Sequence, residues 1–77
     1  MTESLSVRHT RLVTQLRTRR KNLGLSQREV AEQMGTSAKE VSVWETGGAT
    51  LRLSTFLKWV AVLDCEVEVN AMRARLH

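Results

Sequence analysis

The sequence predicts an all-α fold: a bundle of four to five short helices, followed by one short β-strand near the C-terminus. Three observations carry this. Apolar residues recur at helical spacing over most of the chain. Two helix-opening signatures, at Ser26 and Ser37, stand on either side of Gly35. After Cys65 the apolar period changes to the alternation of a strand. At 77 residues there is material for one domain, near the size where a single core is only marginally stabilising. A hydrophobic share of 42% with 26% charged residues argues against wholesale disorder. With Phe56, Trp44 and Trp59 as its only aromatic residues, the chain must build a largely aliphatic core.

Residues 1–9 read as a flexible, polar N-terminus. Leu12, Val13, Leu16 and Leu23 give a first helix running to about Asn22, with Gly24 suited to the position just past its end. Ser26-Gln27-Arg28-Glu29 is a capping box, in which a hydroxyl and a carboxylate three residues apart each satisfy an orphan backbone donor. Leu25 before that cap and Val30 after it have the spacing of a hydrophobic staple. The helix it opens spans about Gln27 to Met34, and Gly35 can end it in the left-handed conformation. Ser37-Ala38-Lys39-Glu40 repeats the box and opens a third helix, about Ala38 to Glu45. Gly47-Gly48 lacks the Lys-Ser/Thr of a phosphate loop and reads as a helix terminus plus a turn. Leu53, Phe56, Leu57, Val60 and Leu63 mark a fourth helix. Arg52 stands at its cap position, so its start is less secure than the two before it.

Cys65, Val67 and Val69 then alternate with Glu66, Glu68 and Asn70, giving a strand over 65–70 before a tail, 71–77. One strand cannot satisfy its own backbone, and the chain holds no second strand pattern. Pairing with the same strand of a second copy is the economical solution, with Cys65, Glu66, Val67, Glu68 and Val69 at the interface. A two-fold pair centred on Val67 would set Glu66 against Glu68, which Arg73, Arg75 or another register would relieve. The lone Cys65 permits no internal disulfide and no cysteine-based zinc site, and reads as a buried structural thiol. No apolar stretch approaches a membrane span and no secretory pattern opens the chain, so a cytoplasmic location is expected.

The apolar positions Val30, Ala31, Met34, Val41 and Trp44 fall on facing sides of helices two and three. Two short helices hinged at a glycine form a helix-turn-helix, which makes duplex DNA the leading ligand. The formal charge of +4 favours a polyanionic partner. Up to Arg28 the basic residues are Arg8, Arg11, Arg17, Arg19, Arg20, Lys21 and Arg28, opposed only by Glu3. A solvated helix face is the plain alternative for that cluster. In a recognition helix the outward residues near the N-terminus meet base edges, here Ser37, Ala38, Lys39, Ser42 and Val43. Lys39 can donate to guanine O6 and N7, Val43 can pack on a thymine methyl, and Ser42 can bond a base or a phosphate. A solvated lysine is the alternative for Lys39.

Gly24-Leu25-Ser26-Gln27, Val30-Ala31, Met34-Gly35-Thr36-Ser37, Val41-Ser42 and Trp44-Glu45-Thr46-Gly47 together resemble the Cro/C1-type, or XRE-type, repressor domain over residues 10–64. Leu53-Ser54-Thr55-Phe56-Leu57-Lys58 with the alternating segment after it is closest to the HipB-like antitoxin branch. The resemblance implies a lambda-repressor-like bundle and dimerisation through the C-terminal strand. It also implies a phosphate contact from Gln27 that braces the recognition helix, a second near Thr46, and a partly buried ion pair between Arg20 and Glu45. Arg28 can add charge beside Gln27 or simply point to solvent. Arg17, Arg19 and Lys21 would add general attraction. Many relatives carry glutamine where this chain has Ala38, which leaves more of the specificity to DNA shape. Relatives often have proline where this chain has Leu51. Trp44 and Trp59 read as core, and His9 and His77 receive no role.

The expected function is a sequence-specific, double-stranded DNA-binding repressor. It would act as a homodimer on a palindromic operator, either as a plain repressor or as the autoregulating antitoxin of a toxin–antitoxin pair. The tail after Val69 is short, so a toxin would have to bind the folded body. The competing expectation is a protein-interaction module without DNA readout, a role to which Ala38 and Glu40 lend support. No paired carboxylates, activated nucleophile or metal-ligand cluster points to an enzyme, a cofactor or a metal.

Overall fold

The computed structural model describes residues 4–68. Four helices follow one another: α1 Leu5–Asn22, α2 Gln27–Met34, α3 Ala38–Glu45 and α4 Leu53–Val62. No strand and no fifth helix occur among the described residues. α2 packs against α3 and α4, and α1 packs against α3.

α1 begins earlier than its apolar spacing suggests. Ser4 caps it, its hydroxyl accepting from the Val7 N–H at 3.2 Å, and the helix starts at Leu5 inside the segment expected to be flexible. Leu5 and Val7 stay exposed there, so this part of the helix is set by its cap and not by burial. Farther on, Val13, Leu16 and Arg20 form the buried stripe.

The two central helices start and stop for local reasons. At α2 the box is complete: the Glu29 N–H donates to the Ser26 hydroxyl at 3.0 Å, and the Ser26 N–H donates back to Glu29 Oε1 at 2.9 Å. The Ser26 backbone donor and then its side chain hold the Glu29 carboxyl below its ordinary pKa. At α3 only half of the expected box forms. Ser37 accepts from the Glu40 N–H at 3.2 Å, but the Glu40 carboxylate takes the Thr36 hydroxyl instead of the Ser37 N–H. Thr36, four residues before Glu40, offers a competing donor that the box pattern does not register.

All four helices end alike. The N–H groups of Leu25, Thr36, Gly48 and Cys65 reach back to the carbonyls of Arg20, Ala31, Val43 and Val60. This is the long bond of a Schellman motif, and it needs a left-handed residue just past the helix. Gly35 takes that position between α2 and α3 at φ +75°, so the hinge carries no Cβ penalty. After α4 the same position falls to Asp64, at φ +55°.

The core joins Val13 and Leu16 of α1, Val30, Ala31 and Met34 of α2, Val41 and Trp44 of α3, and Trp59, Val60 and Leu63 at α4. Trp44 and Trp59 stack obliquely at the centre, with ring centroids 5.5 Å apart and planes at 52°. Leu25 joins from before the α2 cap, where the staple spacing puts it.

Residues 65–68 leave α4 without regular structure, and Val69 lies outside the described residues. The expected strand of Cys65, Glu66, Val67 and Glu68 is therefore not seen. A single chain supplies no ladder partner for its N–H and C=O groups. Cys65 is half-buried, not fully buried.

Arg52 occupies the cap of α4 and makes no side-chain cap bond. Arg52→Asp would supply an acceptor and place a negative charge at the helix N-terminus. It should stabilise the free protein by about 1 kcal/mol, read as a raised thermal midpoint. An unchanged or lower midpoint would show that the α4 start is satisfied by other means.

Candidate nucleic-acid interface

α3 is locked into the fold along one side and open along the other. Val41 and Trp44 enter the core, and the Glu45 side chain is 1% exposed. On the open side Ser37, Lys39 and Val43 line one concavity with Glu40, Trp44 and Ala49. Lys39 and Val43 are an i,i+4 pair, so they stand one above the other on the helix surface. Ala38 and Ser42 form the next ridge, and both are half-buried.

The hydroxyls on this face are not equivalent. Ser37 uses a lone pair to cap α3, which leaves its O–H proton able to donate. Thr46 donates its proton to the Val43 carbonyl at 2.9 Å. In this rotamer its proton is engaged, and the phosphate contact that the resemblance assigns to it needs the hydroxyl to turn from that carbonyl. Glu40 remains exposed, with its carboxylate turned to Thr36.

Behind α3 sits a buried polar junction built on Glu45. Arg20 donates to it through Nε at 2.6 Å and Nη2 at 3.0 Å, and spends Nη1 on the Leu25 carbonyl at 2.8 Å. Gln27, the first residue of α2, donates Nε2 to Glu45 Oε1 at 3.0 Å. Arg17 Nε stands 3.9 Å from that same oxygen. One carboxylate thus ties α1, α2 and α3 together, fixing the angle between the two helices of the turn. Gln27 keeps its second amide proton for another acceptor.

Arg19 is less available than the sequence suggests, whereas Arg28, its side chain 84% accessible, keeps its charge at the surface. Arg28 lies along the surface of α2 with its Nε 3.6 Å from Glu32 Oε1. Arg19 points to the other side of α1, where its Nε donates to the Leu63 carbonyl at 3.0 Å and its Nη2 to the Asp64 carbonyl at 3.4 Å. That tie across the end of α4 has no local sequence signal, because its acceptors are main-chain carbonyls far along the chain.

Between α1, α4 and the segment after it lies a groove of about 230 Å³, lined by Leu12, Leu16, Phe56, Val60, Cys65 and Val67 among others. Leu12 and Val67 are partly exposed there. Among the described residues no group of His, Cys, Asp and Glu could hold a metal ion, and no helix is long and apolar enough to cross a membrane.

A short helix–turn–helix with one open face on its second helix is the arrangement that DNA-binding domains present to the major groove. The family profile described as helix-turn-helix matches residues 16–70, most of the chain. The chain belongs to the XRE-type helix-turn-helix family, a family of DNA-binding transcription regulators. No curated protein and no solved structure matches it significantly.

Proposed function

We propose that the protein is a sequence-specific transcriptional repressor that binds a palindromic DNA operator as a homodimer. One observation supports this above the others: Ser37, Lys39 and Val43 share an open face of α3 while Glu45 holds the opposite side of that helix to α1 and α2. In this reading Lys39, Val43, Ser42 and Ala38 meet base edges. Ser37 and Gln27 donate to phosphate, Arg28 adds charge, and Thr46 donates to phosphate once its hydroxyl turns from the Val43 carbonyl. The Arg20–Glu45 pair is structural.

The homodimer is supported by two features. The alternating sequence over 65–70 calls for a ladder partner, and a groove lined in part by residues 65–68 leaves Leu12 and Val67 exposed. An autoregulating antitoxin, with a toxin as second partner, is the narrower form of the proposal and rests on the likeness of residues 53–58 and the segment after them. The same groove favours one competing reading, a protein-interaction module without DNA readout.

Salt separates the two readings. Binding to duplex DNA should weaken by orders of magnitude between 50 and 200 mM salt if several phosphates are neutralised. A largely apolar protein contact should change little. Sedimentation equilibrium tests the dimer separately. A single-protomer mass at every concentration, with and without DNA, would remove it.

A further inference from the structure

Arg17, Arg19 and Arg20 lie within one turn of α1, yet the structure gives them three different surroundings. Arg20 is buried and fully engaged by Glu45 and the Leu25 carbonyl. Arg19 is spent on the carbonyls that end α4. Arg17 is half exposed, its side chain 52% accessible, and its Nε is 3.9 Å from Glu45 Oε1.

That contact does not consume Arg17. Glu45 is already neutralised by the two short bonds from Arg20, and its Oε1 also receives Gln27. Two guanidinium groups around one carboxylate leave a positive charge over, and the exposed group is where solvent or a ligand meets it. A pair at 3.9 Å with one half-exposed partner contributes little to stability. Arg17 Nε and Gln27 Nε2 face the same carboxylate oxygen, Glu45 Oε1, which makes the two side chains neighbours. A planar fork with several unused N–H donors, beside an amide with one free proton, suits a phosphate diester oxygen pair.

We propose that Arg17 is a DNA-backbone contact, positioned by Glu45 to grip the phosphate that Gln27 also touches. The inference rests on the DNA-binding reading above and names a site within it. Glu45 then acts twice, because the carboxylate that holds α1 to α3 also orients a phosphate ligand at the surface. Of the three arginines Arg17 is the most exposed, its side chain 52% accessible against 39% for Arg19 and 10% for Arg20.

The affinity of a short mixed-sequence duplex is measured across a salt series for the wild type, Arg17→Gln, Arg17→Lys and Arg19→Gln, with a thermal melt of each. Arg17→Gln should reduce the slope of log K against log salt by about 0.9, the value of one phosphate, and leave the melt nearly unchanged. Arg17→Lys should recover most of the slope, because it keeps the charge, but less of the affinity, because it loses the fork. Arg19→Gln should lower the melting midpoint and leave the slope alone. A wild-type slope that survives Arg17→Gln overturns the proposal while leaving DNA binding intact. A wild type that binds no duplex at low salt overturns the DNA-binding reading, and this proposal falls with it.

Discussion

Glu45→Ala is expected to lower the thermal midpoint of the free protein by roughly 12–40 °C. The side chain is 1% exposed and accepts from Arg20 twice and from Gln27 once. Removing it strands the Arg20 guanidinium, 10% exposed, with only the Leu25 carbonyl for company. Breaking a buried pair from one side costs about 3–5 kcal/mol, since the survivor stays buried without its counter-charge. A small domain has a total stability of about 5–15 kcal/mol, and a chain of this length sits toward the low end. The loss is therefore a large part of what holds the fold. Glu45→Gln should be milder, because the amide oxygen still accepts while the charge is gone. A Glu45→Ala protein that melts within a few degrees of the wild type and loses only DNA affinity would show that the pair serves the ligand and not the fold.

Lys39→Ala should do the reverse. Lys39 is exposed, so its truncation should change stability by no more than about 0.5 kcal/mol. If Lys39 donates to a guanine edge, its loss should weaken the specific complex by about 1–3 kcal/mol and relax preference at one base pair. Equal weakening on specific and random duplexes would make Lys39 a phosphate contact instead. Unchanged affinity on both would leave it a solvated helix lysine. Measuring both substitutions on both axes, melting and binding, separates the scaffold residue from the reading residue.

What could be read from the sequence was local. The caps at Ser26 and Ser37 and the left-handed hinge at Gly35 act over three or four residues, so they are written in consecutive letters. They set the limits of α2 and α3. The apolar positions of the core follow from the same spacing. The start of α1 was hidden because Leu5 and Val7 are exposed, and a periodicity argument sees only faces that are buried. Glu40 left the expected box because Thr36 competes for it. The different fates of Arg17, Arg19 and Arg20 were invisible for another reason. Three neighbouring guanidiniums look alike until the fold brings Glu45 to one side and the end of α4 to the other. The alternating segment after Cys65 carries a strand pattern, but a strand exists only with a ladder partner.

Whether α3 reads DNA sequence is decided by selecting bound duplexes from a random library. With the purified protein at near-physiological salt, an inverted repeat should be enriched. Its half-sites should lie on one face of the duplex, about 10 bp apart or a multiple of that. The half-site sequence would show which bases Lys39 and Val43 face, and the spacing would report the geometry of the dimer. Folded protein that enriches no sequence would contradict readout by α3, and the groove beside Val67 would then be the place to look for the molecule's partner.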